Sequence, residues 1–171
     1  MHADELAQLD MSSAAAKRAS YQQLAQQTEA LFAGERDWLA NCAQFSALIY
    51  QQVPQLNWAG FYLNRGAELV LGPFQGKVAC VRIPFNRGVC GACARSGRTQ
   101  LVSDVHAFPG HIACDGASNA EIVIPLIIHG RLWGVFDIDS PLVARFDEID
   151  QAGLERCLTL LISATQWPEQ H

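Results

Sequence analysis

The chain carries six cysteines, Cys42, Cys80, Cys90, Cys93, Cys114 and Cys157. In a reducing compartment such thiols serve redox catalysis, metal ligation or plain packing more often than structural disulfides. Cys42 and Cys157 recur with apolar residues at helical spacing, so both read as small core hydrophobes. The other four fall at a strand (Cys80), a Gly-rich turn (Cys90), the helix it feeds (Cys93) and a long loop (Cys114). Cys90-Gly-Ala-Cys93 has the spacing of a zinc knuckle, with Cys80, Cys114, His106 and His111 as further donors. The second closely spaced ligand pair of a structural zinc site is missing. A thioredoxin-like role for this C-x2-C asks for a βαβ setting that the flanking pattern does not supply. The third chemistry is thiol redox catalysis, in which one thiolate attacks an electrophile and a second closes a disulfide. One cysteine must then be mobile, and Cys114, with Pro109 and Gly110 before it and Gly116 after it, is the best-placed nucleophile. Asp115 beside it raises a thiol pKa by repulsion, whereas a protonated His111 lowers it, and the sequence leaves that balance open.

Three carboxylates come next. Glu121 opens an apolar strand, and Asp137 and Asp139 bracket Ile138 near the end of another, so that the two aspartates share a face. Aspartate is depleted in strands. The pair is either a solvent-facing strand end approaching Ser140-Pro141 or a functional pocket, holding a ligand ammonium group or, with one pKa raised by burial and repulsion, a proton donor.

These residues need a scaffold. Residues 1–15 are polar and Ala/Ser-rich and read as a tail, with a single domain over 16–171. Apolar residues at helical spacing (Leu24, Leu31, Phe32, then Trp38, Cys42, Phe45, Ile49 after a break at Gly34) predict two helices, the second ended by Pro54. A hairpin follows over Trp58–Leu63 and Glu68–Leu71, then a strand over Ala79–Ile83 broken by Pro84, a turn and short helix ending near Gly97, and an edge strand over Thr99–Ser103. Residues 104–119 form a long irregular segment, a class of loop that is usually functional. A more apolar hairpin, Ile122–Ile128 and Arg131–Ile138, reads as central in the sheet. A last helix presents Phe146, Ile149, Leu154, Cys157, Leu158 and Leu161 on one face. The order predicts an α+β fold, an antiparallel sheet with helices on one face, and not a doubly wound one.

Composition narrows the function. The net charge of −5 gives no basic field for a phosphate backbone, so no nucleic-acid partner is expected, nor an anionic membrane. The first fifteen residues include Asp4, Glu5 and Asp10 and no apolar run, which predicts no secretory leader, and the longest apolar stretch, Ile122–Ile128, is far short of a membrane span of ~20 residues. A cytoplasmic protein is the expectation.

Asn57-Trp-Ala-Gly-Phe-Tyr62, Gly72-Pro-Phe-Gln-Gly76, the spacing of Cys80, Cys90 and Cys114, Ala117-Ser-Asn-Ala-Glu-Ile-Val-Ile-Pro125 and Phe136-Asp-Ile-Asp-Ser140 together resemble the free methionine-(R)-sulfoxide reductases, a GAF-domain family. The resemblance runs from about residue 20 to 165. It implies a GAF-like single domain, an antiparallel sheet with flanking helices, acting on free L-methionine-(R)-sulfoxide and recycled by thioredoxin, commonly as a homodimer, with no metal and no organic cofactor. By position it implies that Cys114 is the nucleophile, Cys80 the main resolving cysteine and Cys90 an additional one. Glu121, Asp137 and Asp139 match the substrate-site carboxylates, and Trp58 and Tyr62 the aromatic wall around the methyl-sulfinyl end. A sulfoxide sulfur becomes electrophilic when its oxygen is protonated, so at least one carboxylate should have a raised pKa. Cys93 departs from the family pattern. The GAF architecture also serves small-molecule sensors, the main rival reading, but a binding module has no need of three cysteines at reductase spacing.

Overall fold

The computed structural model describes residues 7–169. Helix α1 spans Ala14–Leu31 and α2 spans Trp38–Gln52. The first turns of α1 lack an apolar stripe, yet Ser13 caps them by accepting the Ala16 N–H, and three alanines favour the helix. The described part of the stretch read as a tail is packed: Leu9 is buried and its N–H donates to the Gln52 carbonyl.

Strands β1 (Trp58–Asn64) and β2 (Glu68–Gly76) form the first hairpin. β2 runs on through Gly72-Pro-Phe-Gln-Gly76, past the expected end at Leu71, because its pairing with β1 resumes beyond an irregularity between Gly60 and Tyr62. The strand expected over Ala79–Ile83 is corrected to β3, Arg82–Pro84. Ala79 and Cys80 leave the ladder because Cys80 is drawn toward Cys114, and Pro84 is tolerated because β3 is an edge. Helix α3 (Gly88–Ser96) ends at Gly97, whose left-handed φ of 62° lets its N–H reach back to the Cys93 carbonyl. Strand β4 (Gln100–Val102), the long connection 103–119, β5 (Ala120–Ile128), β6 (Arg131–Ser140) and helix α4 (Glu148–Ala164) complete the chain.

The sheet order is β3-β2-β1-β6-β5-β4 with every neighbour antiparallel. β6 is central, as expected of its hairpin, but its sequence partner β5 lies one strand from the edge and the other central strand is β1. Side-chain alternation then divides the core. Ala59, Phe61, Leu63, Ile122, Ile124, Phe136 and Ile138 point to the face covered by α1, α2 and α4, where Phe45 packs on Phe136 at 4.9 Å between ring centres. Trp58, Tyr62, Val123 and Val135 point to the opposite face, where α3 brings Val89, Cys90 and Cys93. The expectation of helices on one face is therefore corrected: α3 sits on the other. The helix is too short to have shown a stripe long enough to assign its side.

Helices α1 and α4 touch at Gly153, where an added Cβ would sit 2.1 Å from the Tyr21 ring. Gly153→Ala is expected to lower stability by up to about 2 kcal/mol, because overpacking of roughly 1–3 kcal/mol outweighs a helix-propensity gain of about 1. Thermal unfolding checks this, and an unchanged or raised Tm would show that the contact is loose.

Candidate active site

The register of three strands assembles the floor of the site. Trp58 pairs with Asp139, which pairs with Glu121, so these residues form one row across β1, β6 and β5. The next row on that face is Gly60, Asp137 and Val123, followed by Tyr62 and Val135. Period-two alternation therefore places all three carboxylates and both aromatics on the α3 face. Gly60 sits among them for a steric reason: an added Cβ would lie 2.3 Å from Phe74 Cβ and 2.8 Å from the Trp58 ring. Without it, Trp58 stacks on Phe74 at 5.3 Å and on Tyr62 at 5.7 Å.

The aromatic tips tie down one wall. Trp58 Nε1–H donates to the Lys77 carbonyl at 3.2 Å, and the Tyr62 hydroxyl donates to the Cys80 carbonyl at 2.9 Å. The opposite wall is the segment 110–118. Gly88 N–H donates to the Gly110 carbonyl at 3.0 Å, pinning this segment to the start of α3. Asn57 Nδ2 donates to Asp115 Oδ2 at 3.1 Å and to Ser118 Oγ at 3.0 Å, pinning it to the start of β1. Between the walls, half-buried Cys80 and Cys114 are joined in a disulfide with 5.3 Å between their Cα atoms. Below it lies a recess lined by Trp58, Tyr62, Cys90, Glu121, Asp137 and Asp139, among others.

Electrostatics explain how the carboxylates coexist. Glu121 and Asp137 are buried, and among the described residues the ion pairs are those of Lys17, Arg82 and Arg145, none of which reaches the cluster. Burial, the Asp137 and Asp139 charges and a hydrogen bond to Asp137 push Glu121 well above the usual carboxylate range. Burial pushes Asp137 up to about 6, partly offset by hydrogen bonds from Glu121, Cys90 and the Ile138 N–H. Burial and the charges of Asp137 and Asp115 raise Asp139, against a hydrogen bond from Ser118. At neutral pH the cluster therefore retains protons, shared among interacting sites. Asp137 Oδ1 is buried without a hydrogen-bond partner. The solvent-facing strand end that the sequence left open is excluded for Asp137, 5% exposed.

Cys90 Sγ lies 4.0 Å from Glu121 Oε1, and burial with the surrounding carboxylates pushes its thiol well up. Cys90, Glu121 and Asp137 offer donor atoms within 4.8 Å of one another. A divalent cation there would have to displace the cluster's protons, and Cys80 and Cys114, two of the zinc donors weighed from sequence, are consumed in the disulfide. His111 lines the recess, but burial and His106 lower its pKa and so disfavour the imidazolium form that would stabilise a thiolate at Cys114. Cys42 and Cys157 are in the core on the far face, as their spacing predicted. The clamp by Asn57 and Ser118 is a role that sequence reasoning missed. Its only signal was an asparagine immediately before the aromatic strand.

A disulfide joins two loops over an aromatic-walled recess floored by carboxylates, on one face of an antiparallel sheet. A GAF domain family model matches residues 21–164. The chain is 55% identical over 137 residues to Protein YtsP of Bacillus subtilis, covering 79% of this chain and 84% of that one. It is 51% identical over 141 residues to the free methionine-R-sulfoxide reductase of Escherichia coli, covering 82% and 86%. The X-ray structure of free methionine-R-sulfoxide reductase from Neisseria meningitidis in complex with its substrate superposes with a TM-score of 0.84 at 43% identity, covering 94% and 95%. The chain belongs to the GAF-domain family and, within it, to the free methionine-R-sulfoxide reductases.

Proposed function

We propose that this protein reduces free L-methionine-(R)-sulfoxide to L-methionine, with Cys114 as nucleophile, Cys80 as resolving cysteine and thioredoxin as the external reductant. The observation that carries the reading is the Cys80–Cys114 disulfide closed over the carboxylate floor, the product expected of one catalytic cycle. The activity for which the relatives are named supports it.

The chemistry follows from the geometry. The methyl-sulfinyl end lies against Trp58 and Tyr62, and the carboxylate cluster gives a proton to the sulfoxide oxygen. The Cys114 thiolate then attacks the electrophilic sulfur. Methionine leaves with its sulfur reduced by two electrons, and the oxygen stays on Cys114 as sulfenic acid. The Cys80 thiol condenses with that sulfenic acid, its proton leaving with the oxygen as water, and the resulting disulfide is reduced by thioredoxin through thiol exchange. Asp137 Oδ1 pairs with the substrate ammonium, a charge-assisted bond that a peptide amide cannot make, so the free amino acid is selected. Cys90 is an additional thiol for exchange. The protein works in the cytoplasm, where thioredoxin is reducing, as a homodimer; no described helix is long and apolar enough to cross a membrane.

Thioredoxin-coupled NADPH consumption with the free R epimer, beside the free S epimer and a peptide-bound sulfoxide, tests this reading. Turnover of the free R epimer alone is expected. Equal turnover of a peptide-bound sulfoxide would overturn the role of Asp137, and no turnover of any sulfoxide would overturn the activity.

A further inference from the structure

Cys93 has no part in the cycle described above, yet it stands three residues after Cys90 on α3. An α-helix with 1.5 Å rise and 3.6 residues per turn places Cα atoms three apart at about 5 Å, inside the roughly 4.4–6.8 Å that a disulfide spans. Their Cβ atoms lie about 5–6 Å apart against the roughly 3.5–4.5 Å of the bond, so closing it requires the first turn of α3 to tighten. Both thiols are free and buried, Cys90 at 3% and Cys93 at 0% exposure, so an external oxidant or reductant does not reach them. The thiol chemistry that does reach them is inside the protein. Cys90 and Cys114 line the same recess. The segment carrying Cys114 is held to the first residue of α3 through the Gly88–Gly110 hydrogen bond and through Ile112, whose side chain is 3.4 Å from where a Gly88 Cβ would be. Gly110, at a left-handed φ of 75°, gives that segment a pivot.

Resting on the reductase reading, we propose that Cys90 and Cys93 form a second redox pair that accepts the disulfide from Cys80–Cys114, so that one subunit reduces two sulfoxide molecules before it needs an external reductant. The exchange balances. The Cys90 thiolate attacks Cys114 Sγ, forming a Cys90–Cys114 bond and releasing Cys80 as thiolate. The Cys93 thiolate then attacks Cys90 Sγ, forming Cys90–Cys93 and releasing Cys114 as thiolate. The two protons lost by Cys90 and Cys93 are taken up by Cys80 and Cys114, with Glu121, 4.0 Å from Cys90 Sγ, and Asp137 as the adjacent carriers. Nucleophile and resolving thiol are thereby reset, and a second sulfoxide oxidises them again. Buried thiols among carboxylates are weak nucleophiles, so the second equivalent is expected to appear more slowly than the first.

The test is reductant-free stoichiometry. The fully reduced protein, freed of small thiols, is mixed with excess free L-methionine-(R)-sulfoxide, quenched by acid, alkylated and digested with trypsin, which releases residues 88–95 as one peptide bearing both cysteines. The wild type is expected to release about two equivalents of methionine per subunit, to keep two alkylatable thiols of six, Cys42 and Cys157, and to yield peptide 88–95 lighter by two hydrogens. Cys93→Ser is expected to lose that internal disulfide. One equivalent of methionine with four thiols remaining would overturn the proposal and leave the reductase reading standing. A second equivalent accompanied by peptide 88–95 cross-linked to the peptide of Cys80 or Cys114 would also overturn it. Release of no methionine would overturn both.

Discussion

Replacing Cys114 by serine is expected to remove reductase activity by at least about 10⁴-fold, because a hydroxyl is hardly ionised near neutral pH and forms no sulfenic acid or disulfide. The fold should survive. Cys114 is half-buried in a loop outside both hydrophobic clusters, and the segment around it is held by Asn57 and by the Gly88–Gly110 bond rather than by the thiol. Cys80→Ser should differ in kind. The first methionine should still be released at the wild-type rate, since Cys80 acts only after the sulfoxide oxygen has moved to Cys114, whereas thioredoxin-coupled turnover should fall by about tenfold or more. Single-turnover methionine release beside the coupled assay separates the two variants. If Cys114→Ser kept the first equivalent and Cys80→Ser lost it, the roles would be reversed.

The sequence disclosed the elements and the chemistry better than the arrangement between them. Helical and strand periodicities located α2, α4, β1, β5 and β6 because each buries a face along most of its length. The side of the sheet taken by α3 was not legible, because a nine-residue helix rich in Gly, Ala and Cys has no broad apolar stripe. The neighbouring of β1 and β6 was equally hidden, since the pairing joins segments separated by about seventy residues and depends on register alone. That pairing makes the site: Asp137 and Asp139 on one strand could be seen to share a face, but only the ladder sets them beside Trp58, Gly60 and Glu121. The same limit applies to Tyr62 and Trp58. Each reads as an apolar ring in sequence, and the carbonyls of Cys80 and Lys77 that their polar ends hold belong to a loop whose second half, from Ala79, local pattern presented as a strand.

Asp137→Asn is expected to make the protein more stable and a poorer enzyme. The folded state raises this carboxyl from an ordinary value of 3.8 to about 6, so the folded protein binds its proton more tightly than the unfolded chain does. The associated stability is fully present below about pH 3.8, declines as pH rises, and is gone above about 6. At pH 7.5 the folded state then carries the cost of holding this carboxylate ionised in a buried site, on the order of a few kcal/mol. An asparagine has no proton to lose and keeps an oxygen for the donors that face Asp137. Part of that cost should return as stability, a rise in Tm of about 5 °C or more for a chain of this size. The gain should shrink on going from pH 7.5 to pH 5, where the wild-type carboxyl is mostly protonated. Activity should move the other way. Loss of the bond to the substrate ammonium is expected to raise KM by roughly 10- to 100-fold, the worth of a charge-assisted hydrogen bond. Glu121 and Asp139 should also lose protons more readily once the Asp137 charge that helps retain them is removed, so kcat should begin to fall at a lower pH than in the wild type. Thermal unfolding at the two pH values, with KM and a kcat profile, reads all three effects. A Tm gain equal at both pH values would point to packing rather than charge burial, and an unchanged KM would take Asp137 out of substrate binding. The two readouts share one cause, because the carboxylate that is costly to bury empty is the one kept there for a cation.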